Sequence, residues 1–155
     1  MLAYIGNAGA SQVLKVDANG VHLQTLNVQS GTDWIDLASD QKTLICSDES
    51  NTIRQGDVSA DAALPNFTTG SFGSLYAKRI RPNGDVMAAS STGNVYRFDA
   101  AGVLLQTYSS CIGSVFALNL DPDGTSFWTG STGVSEPPRV SWRLFGLSQA
   151  ATVVA

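Results

Sequence analysis

A nine-residue segment, Val13-Leu-Lys-Val-Asp-Ala-Asn-Gly-Val21, returns 82 residues later as Val95-Tyr-Arg-Phe-Asp-Ala-Ala-Gly-Val103. Each copy is followed by a close echo, HLQTL at 22–26 and LLQTY at 104–108. An offset of 82 implies two units of about 41 residues, and a middle copy stands between them in Thr52-Ile-Arg-Gln-Gly-Asp57. A fourth copy is Val140-Ser-Trp-Arg-Leu144. One cationic position thus recurs as Lys15, Arg54, Arg97 and Arg143, at spacings of 39, 43 and 46. Self-similarity at this period marks a chain of stacked supersecondary units, none of which can bury its faces alone.

A second element alternates with the first. Leu37, Ile80 and Leu120 align at spacings of 43 and 40 within WIDLASDQK, AKRIRPNGD and ALNLDPDGT. Strand-like runs follow: KTLICS, DVMAAS and TSFWTG. Pro82-Asn-Gly84 and Pro122-Asp-Gly124 are turn chemistry, proline presetting φ and glycine taking the left-handed residue. The third unit then reads as four short strands: a, LYAKRIR; b, DVMAAS; c, NVYRFD; d, VLLQTY. Their links PNG, STG and AAG are short enough for antiparallel hairpins. No segment sustains a 3.6-residue apolar period without Gly or Pro, so helix should be minimal.

These turns, the small-residue strand b and the VYRFD-AAG-VLLQT hairpin carry a resemblance to β-propeller blades over nearly the whole chain. The chain resembles the NHL, SMP-30 and virginiamycin-B-lyase-like group more than WD40, whose Gly-His and Trp-Asp signatures are missing. The resemblance implies an all-β β-propeller of four-stranded antiparallel blades, about 3.75 of them in this chain. The expected blades are 1–30 (strands b to d only), 31–70, 71–111 and 112–155, within one propeller-like domain over 1–155. That makes fifteen strands, with no strand left to close the first blade. The expectation is a ring completed by association, with a fragment or a small incomplete ring as alternatives.

Composition limits the partners. The 155 residues carry 9 Lys+Arg against 13 Asp+Glu, a net charge of −4, and only 14% are charged. The acidic balance argues against nucleic acid. No apolar run approaches the ~20 residues that span a bilayer, and MLAYIGNAGA lacks the basic and apolar regions of a signal peptide. A soluble chain, cytoplasmic or part of a virion, is expected. The two cysteines, Cys46 and Cys111, and the single histidine, His22, offer no CxxC, HExxH or HxH spacing, so no metal or other cofactor is expected. Cys46, in TLICSD, reads as a small buried hydrophobe, and Cys111, in SSCIGS, as a loop residue. A disulfide between them is the less favoured alternative.

Candidate site residues come from the resemblance, because propellers usually bind ligands with the d–a and b–c loops near the axis. The d–a segments 29–34, 70–76 and 111–116 hold Asp33, Trp34, Phe72, Tyr76 and Phe116, with Asp33, Tyr76 and Phe116 at one aligned position. The b–c segments hold Asn7, Glu49, Asn51, Asn94 and Glu136, the last in a long loop containing Pro137-Pro138. Strand a should face a central channel with Asp36, Arg79 and Asn119. Asp36 and Arg79 would either pair or be solvated separately. The strand-c cations are expected to be architectural, joining blades through strand-end acids such as Asp17 and Asp99. Lys78, Arg79 and Arg81 form the only basic cluster, but strict alternation would not aim all three one way.

Enzymes of the resembled group use a histidine or several carboxylates with a divalent metal near the axis. Here His22 falls on outermost strand d, and Asp33 and Asp36 come from one blade. Asp121-x-Asp123-Gly lacks the later acids of a calcium loop and reads as a turn. No catalytic residue is therefore assigned and the chain is not expected to be an enzyme. The favoured function is a binding or assembly module meeting a protein, a second copy of itself or a glycan. The alternatives are a structural subunit of a large assembly, such as a viral one, and a metal-dependent propeller hydrolase or lyase.

Overall fold

The computed structural model describes residues 1–29, 31–109, 113–131, 141–146 and 153–154, the last two stretches as backbone. Every regular element among them is a strand. Strands β1 (Leu2–Asn7), β2 (Gln12–Asp17) and β3 (His22–Asn27) form a three-stranded meander. The second sheet runs β4 (Trp34–Leu37), β5 (Thr43–Ser47), β6 (Thr52–Asp57) and β7 (Ala62–Ala63), with β8 (Thr68–Thr69) also on β6. The third is β9 (Leu75–Ile80), β10 (Val86–Ser90), β11 (Asn94–Phe98) and β12 (Leu104–Ser109). The fourth is β13 (Val115–Leu120), β14 (Ser126–Ser131), β15 (Ser141–Gly146) and β16 (Val153–Val154). All neighbours are antiparallel. The contacts divide the chain into two compact units, 1–70 and 71–155, each holding two successive sheets.

Among the described residues sixteen strands stand where fifteen were expected, because strand d of the second sheet is split into β7 and β8. Pro65 lies in the gap. It has no N–H to give the ladder, so pairing stops beside it. The backbone bonds Leu64 N to Gln55 O and Phe67 N to Ile53 O hold the strand on either side.

The hairpin links repeat atom for atom. Asp17 N binds Val21 O and Gly20 N binds Asp17 O; Asp99 N binds Val103 O and Gly102 N binds Asp99 O. The carboxylate of Asp17 also accepts Asn19 N and Val21 N, and that of Asp99 accepts Ala101 N and Val103 N. The second sheet departs from this pattern. Its three hairpin links place Gln41, Glu49 and Asp61 at φ of 58°, 61° and 51°.

In the first unit, Val13, Leu26, Val28, Leu44, Cys46 and Val58 form a buried cluster, with Tyr4, Ile35 and Leu37 packed on it. Period-2 alternation sends these residues inward from both sheets. In the second unit, Leu75, Met87, Val95, Phe98, Tyr108, Val115 and Phe127 are fully buried. Tyr108 of β12 meets Phe127 of β14 edge-on, centroids 5.1 Å apart. Lys78 is as buried as these residues, in the slot that Ile35 and Leu118 occupy in the neighbouring repeats.

Candidate functional site

The strand-c cations do not join sheets through Asp17 and Asp99. Those acids accept the amides of their own hairpin links. Instead each described cation binds within its own sheet. Arg97 meets Asp85 at 2.6 Å, with Arg81 on the same carboxylate at 3.3 Å. Arg54 meets Asp48 at 3.7 Å, and Lys15 lies 6.0 Å above the Tyr4 ring. The side chain of Arg143 lies outside the described residues. Burial pushes the Asp85 carboxyl up, but hydrogen bonds from Arg97 and Asn83 and the two guanidinium charges outweigh it and hold the group below its ordinary range. These contacts are architecture.

Several candidate residues are likewise spent on local structure. Asn7 Oδ1 accepts Gly9 N, and its carbonyl accepts Ala10 N and Thr32 N. Asn51 Oδ1 accepts the Thr52 hydroxyl. Glu49 is exposed at its left-handed turn position. Asp33 is exposed and gives its N–H to Ser47 O. Trp34 is half-buried opposite Ser47, and Asp36 accepts the Leu37 N–H. Glu136, Pro137, Pro138 and Cys111 lie outside the described residues, while Cys46 is buried. The acids of the Asp121 turn bind Trp128 Nε1 and Ser126 Oγ from Asp121, and Thr125 N from Asp123.

Phe72 points into packing. Its ring lies 5.1 Å from both Tyr96 and Phe98, and its carbonyl accepts the Ser90 hydroxyl. From Ser90 a hydroxyl chain runs through Thr92 to Tyr96 Oη, each step 3.0 Å. Asn94 Nδ2 joins Thr92 and Tyr96, and Asn94 Oδ1 takes the Ser109 hydroxyl. This network ties the entry loop 70–74 to the β10–β11 turn. Sequence reading missed Ser90, Thr92 and Tyr96 because the network depends on two loops meeting.

The remaining candidates do converge. Tyr76 and Phe116, on neighbouring innermost strands β9 and β13, have ring centroids 4.8 Å apart. Arg79 and Asn119, on the same two strands, meet at 3.4 Å from Nε to Oδ1. Residues three apart on a strand normally face opposite ways. A β-bulge cancels this in both strands. Leu75 and Lys78 pair with Ser90 and Ala88, so three steps on β9 match two on β10. Val115 and Ala117 pair with Ser131 and Gly130, so two steps on β13 match one on β14. One extra residue resets the alternation. Phe116 and Asn119 both come out exposed, each directly after a buried residue, Val115 and Leu118. The only sequence trace of this is the shared spacing, Tyr76-x-x-Arg79 and Phe116-x-x-Asn119.

The seam formed by these four side chains carries donors and no acid. Arg79 gives Nη1 to Lys78 O at 2.7 Å, which fixes the guanidinium plane. Asn119 uses Oδ1 on Arg79, so its amide N–H groups face away from that bond. The arrangement can recognise a ligand but offers no nucleophile–base pair. Among the described residues, no three His, Cys, Asp or Glu side chains group to hold a metal ion, and no helix is long and apolar enough to cross a membrane.

No family pattern matches the chain, and no curated protein matches its sequence. Solved structures do match its fold. Hydrazine synthase of Kuenenia stuttgartiensis superposes with a TM-score of 0.82 over 99% of this chain and 46% of its own, at 14% identity. A functionally unknown protein of Desulfotomaculum acetoxidans DSM 771 gives 0.75 over 98% of this chain and 51% of its own, at 15% identity.

Proposed function

We propose that this all-β chain, with antiparallel blade sheets of the propeller type and spanning about half the length of the structures it matches, is a non-catalytic binding module of the NHL, SMP-30 and virginiamycin-B-lyase-like kind, with the β9–β13 seam as its recognition surface. The observation that carries this reading is the pair of matched bulges. They hold two aromatic rings and two polar groups together on neighbouring strands, where regular alternation would separate them. Bulges are a common device for re-aiming side chains at binding sites. Aromatics supply contact area at low entropic cost, and an amide and a guanidinium supply direction.

A second reading, self-assembly, is favoured by the outer strands. Leu23 on β3 with Val21 just before it, and Leu104 and Leu105 on β12 with Val103 just before them, are all exposed. Apolar edge strands without charge are templates for pairing with another chain.

Two experiments test these readings. Amide chemical-shift mapping of the chain with neutral and acidic peptides, cello- and chito-oligosaccharides and oligouronides should move Tyr76, Arg79, Phe116 and Asn119 with at least one probe. Shifts that spare the seam with every probe overturn the binding reading. Light scattering after size exclusion should give a multiple of the chain mass that Leu23→Lys/Leu105→Lys reduces; a monomer overturns self-assembly. A stoichiometric divalent ion lost in Asp33→Ala would favour a hydrolase or lyase instead.

A further inference from the structure

We propose that the seam takes an amphipathic carboxylate, its anion on Arg79 and Asn119 and its apolar end on Tyr76 and Phe116. This rests on the seam being a binding surface and names the chemistry it selects. Four arginine side chains are described. Arg54, Arg81 and Arg97 each lie against a carboxylate. Arg79 does not: among the described residues its partners are the Lys78 carbonyl and the Asn119 amide oxygen. Those two bonds occupy Nε and one Nη1 hydrogen. They leave Nη2 and the second Nη1 hydrogen as a fork with its plane already set, the geometry that carboxylates match bidentately.

Asn119 strengthens the choice. Its oxygen accepts from Arg79, which leaves its amide N–H groups as donors beside the guanidinium. A site edge rich in donors asks for an acceptor-rich partner, and a guanidinium asks for a charged one. Arg79 is half-buried, so its charge is less screened than that of an extended surface arginine. A single guanidinium balances one negative charge, which fits a carboxylate better than a phosphate dianion. The chain as a whole carries −4, so anion capture here depends on the local fork and not on a general positive field.

The other end of the ligand is set by the rings. Tyr76 and Phe116 sit three residues from Arg79 and Asn119, a span that the bulge in each strand shortens to about two regular steps, about 7 Å. Phe116 is 36% exposed. A ligand with a carboxylate and an aromatic or alkyl end separated by several bonds spans both. Free aryl-alkanoates and the carboxyl terminus of a peptide ending near an apolar side chain share this chemistry.

The test is a titration of the full chain, by calorimetry and amide shifts, with 6-phenylhexanoate, its neutral amide, 6-phenylhexylphosphonate and the tetrapeptide Ala-Phe-Gly-Ala with a free or an amidated carboxyl end. The carboxylates should bind with shifts at the four seam residues, at least about tenfold more tightly than their amides, as a charge-assisted hydrogen bond requires. Arg79→Gln should abolish that preference, Arg79→Lys should restore it in part, and Phe116→Ala should weaken both forms equally. Unchanged circular dichroism shows that each variant is folded. A stronger response to the free acid or to the free peptide end separates the two sources. Equal binding of acid and amide, or tighter binding of the phosphonate, overturns the carboxylate assignment and leaves the seam as a binding surface. Shifts at the seam with an oligosaccharide alone do the same. Shifts at the seam with none of the probes overturn both.

Discussion

Arg97 on β11 reaches diagonally across its hairpin to Asp85, 2.6 Å away, and not to Asp99, which follows it by two residues in sequence. The choice is made by competition for backbone amides. Asp99 is bound by two amides of its own turn. Asp85 precedes Val86, which pairs with Phe98, so it lies across the ladder from Asp99, and its carboxylate takes the guanidinium while Asn83 accepts its N–H at 3.2 Å.

Asp85→Asn should therefore destabilise the chain by about 2 kcal/mol, since it leaves a half-buried guanidinium short of its counter-charge. The pH dependence has a definite sign. The folded Asp85 pKa lies below its unfolded value, so its contribution is complete above the unfolded pKa of about 4 and is lost as pH falls through the folded value. Asp40, Asp57 and Asp123 are lowered as well, Asp40 mainly by the Thr43 amide, Asp57 by the Ser59 hydroxyl and Asp123 by the Thr125 amide. The difference between wild type and Asp85→Asn in urea unfolding isolates Asp85. It should be constant from pH 7 to about 5 and shrink below about pH 4. A difference that grows with acid would reverse the assignment.

The strands and their links were legible because repeated turn chemistry brackets them. Pro82-Asn-Gly84 and Pro122-Asp-Gly124 announce the a–b turns, and the Asp-Ala-Asn-Gly and Asp-Ala-Ala-Gly runs announce the c–d turns. What a side chain touches was less legible. Asp17, Asp85 and Asp99 are all strand-end acids, and only the register shows which one a strand-c cation can reach. The bulges at Tyr76 and Phe116 were invisible for the same reason. An extra residue has no local signature, because it exists only relative to its partner strand. The split at Pro65 could have been read, since proline cannot serve in a regular ladder.

Gly73 ties the entry loop to the β10–β11 turn, and its substitution should be costly. A Cβ there would lie 2.6 Å from Ser91 Oγ and 2.7 Å from Thr92 Cγ2, on a backbone at φ +71°. Ser91 Oγ cannot yield freely because it accepts the Ser74 N–H. Gly73→Ala should cost about 2–3 kcal/mol, whereas Gly20→Ala should cost only the left-handed strain of about 1 kcal/mol. Gly20 has the same sign of φ and nothing within 4 Å. Equal losses in thermal unfolding would show that contact with Ser91 and Thr92 is unimportant.

The second sheet offers the converse. Gln41 and Glu49 are exposed, and each holds a left-handed conformation; at the place of Gln41 the next two repeats have Gly84 and Gly124, also at positive φ. Gln41→Gly and Glu49→Gly should each stabilise the chain by a few tenths to about 1 kcal/mol, strain relief exceeding the added entropy of the unfolded chain. A loss at Glu49 alone would mean that its side chain makes a stabilising interaction and is more than a turn residue.

The aromatic pair of the seam distinguishes packing from readiness to bind. Rings 4.8 Å apart and tilted by 40° should be coupled by about 0.5–1.5 kcal/mol in a double-mutant cycle of Tyr76→Leu and Phe116→Leu. Leucine keeps an apolar side chain at each position, so the cycle reports the ring–ring term and little else. The two single changes should differ. Tyr76 is half-buried and Phe116 is exposed, so Tyr76→Leu should lower the urea midpoint more. Additive losses would mean that the rings are neighbours without mutual attraction, each held by its own bulge. Measurable coupling with a small Phe116→Leu loss would mean that Tyr76 positions a ring the fold itself scarcely needs. In that case the bulge on β13 orders Phe116 in advance, and a ligand that meets it is spared the entropy of immobilising it.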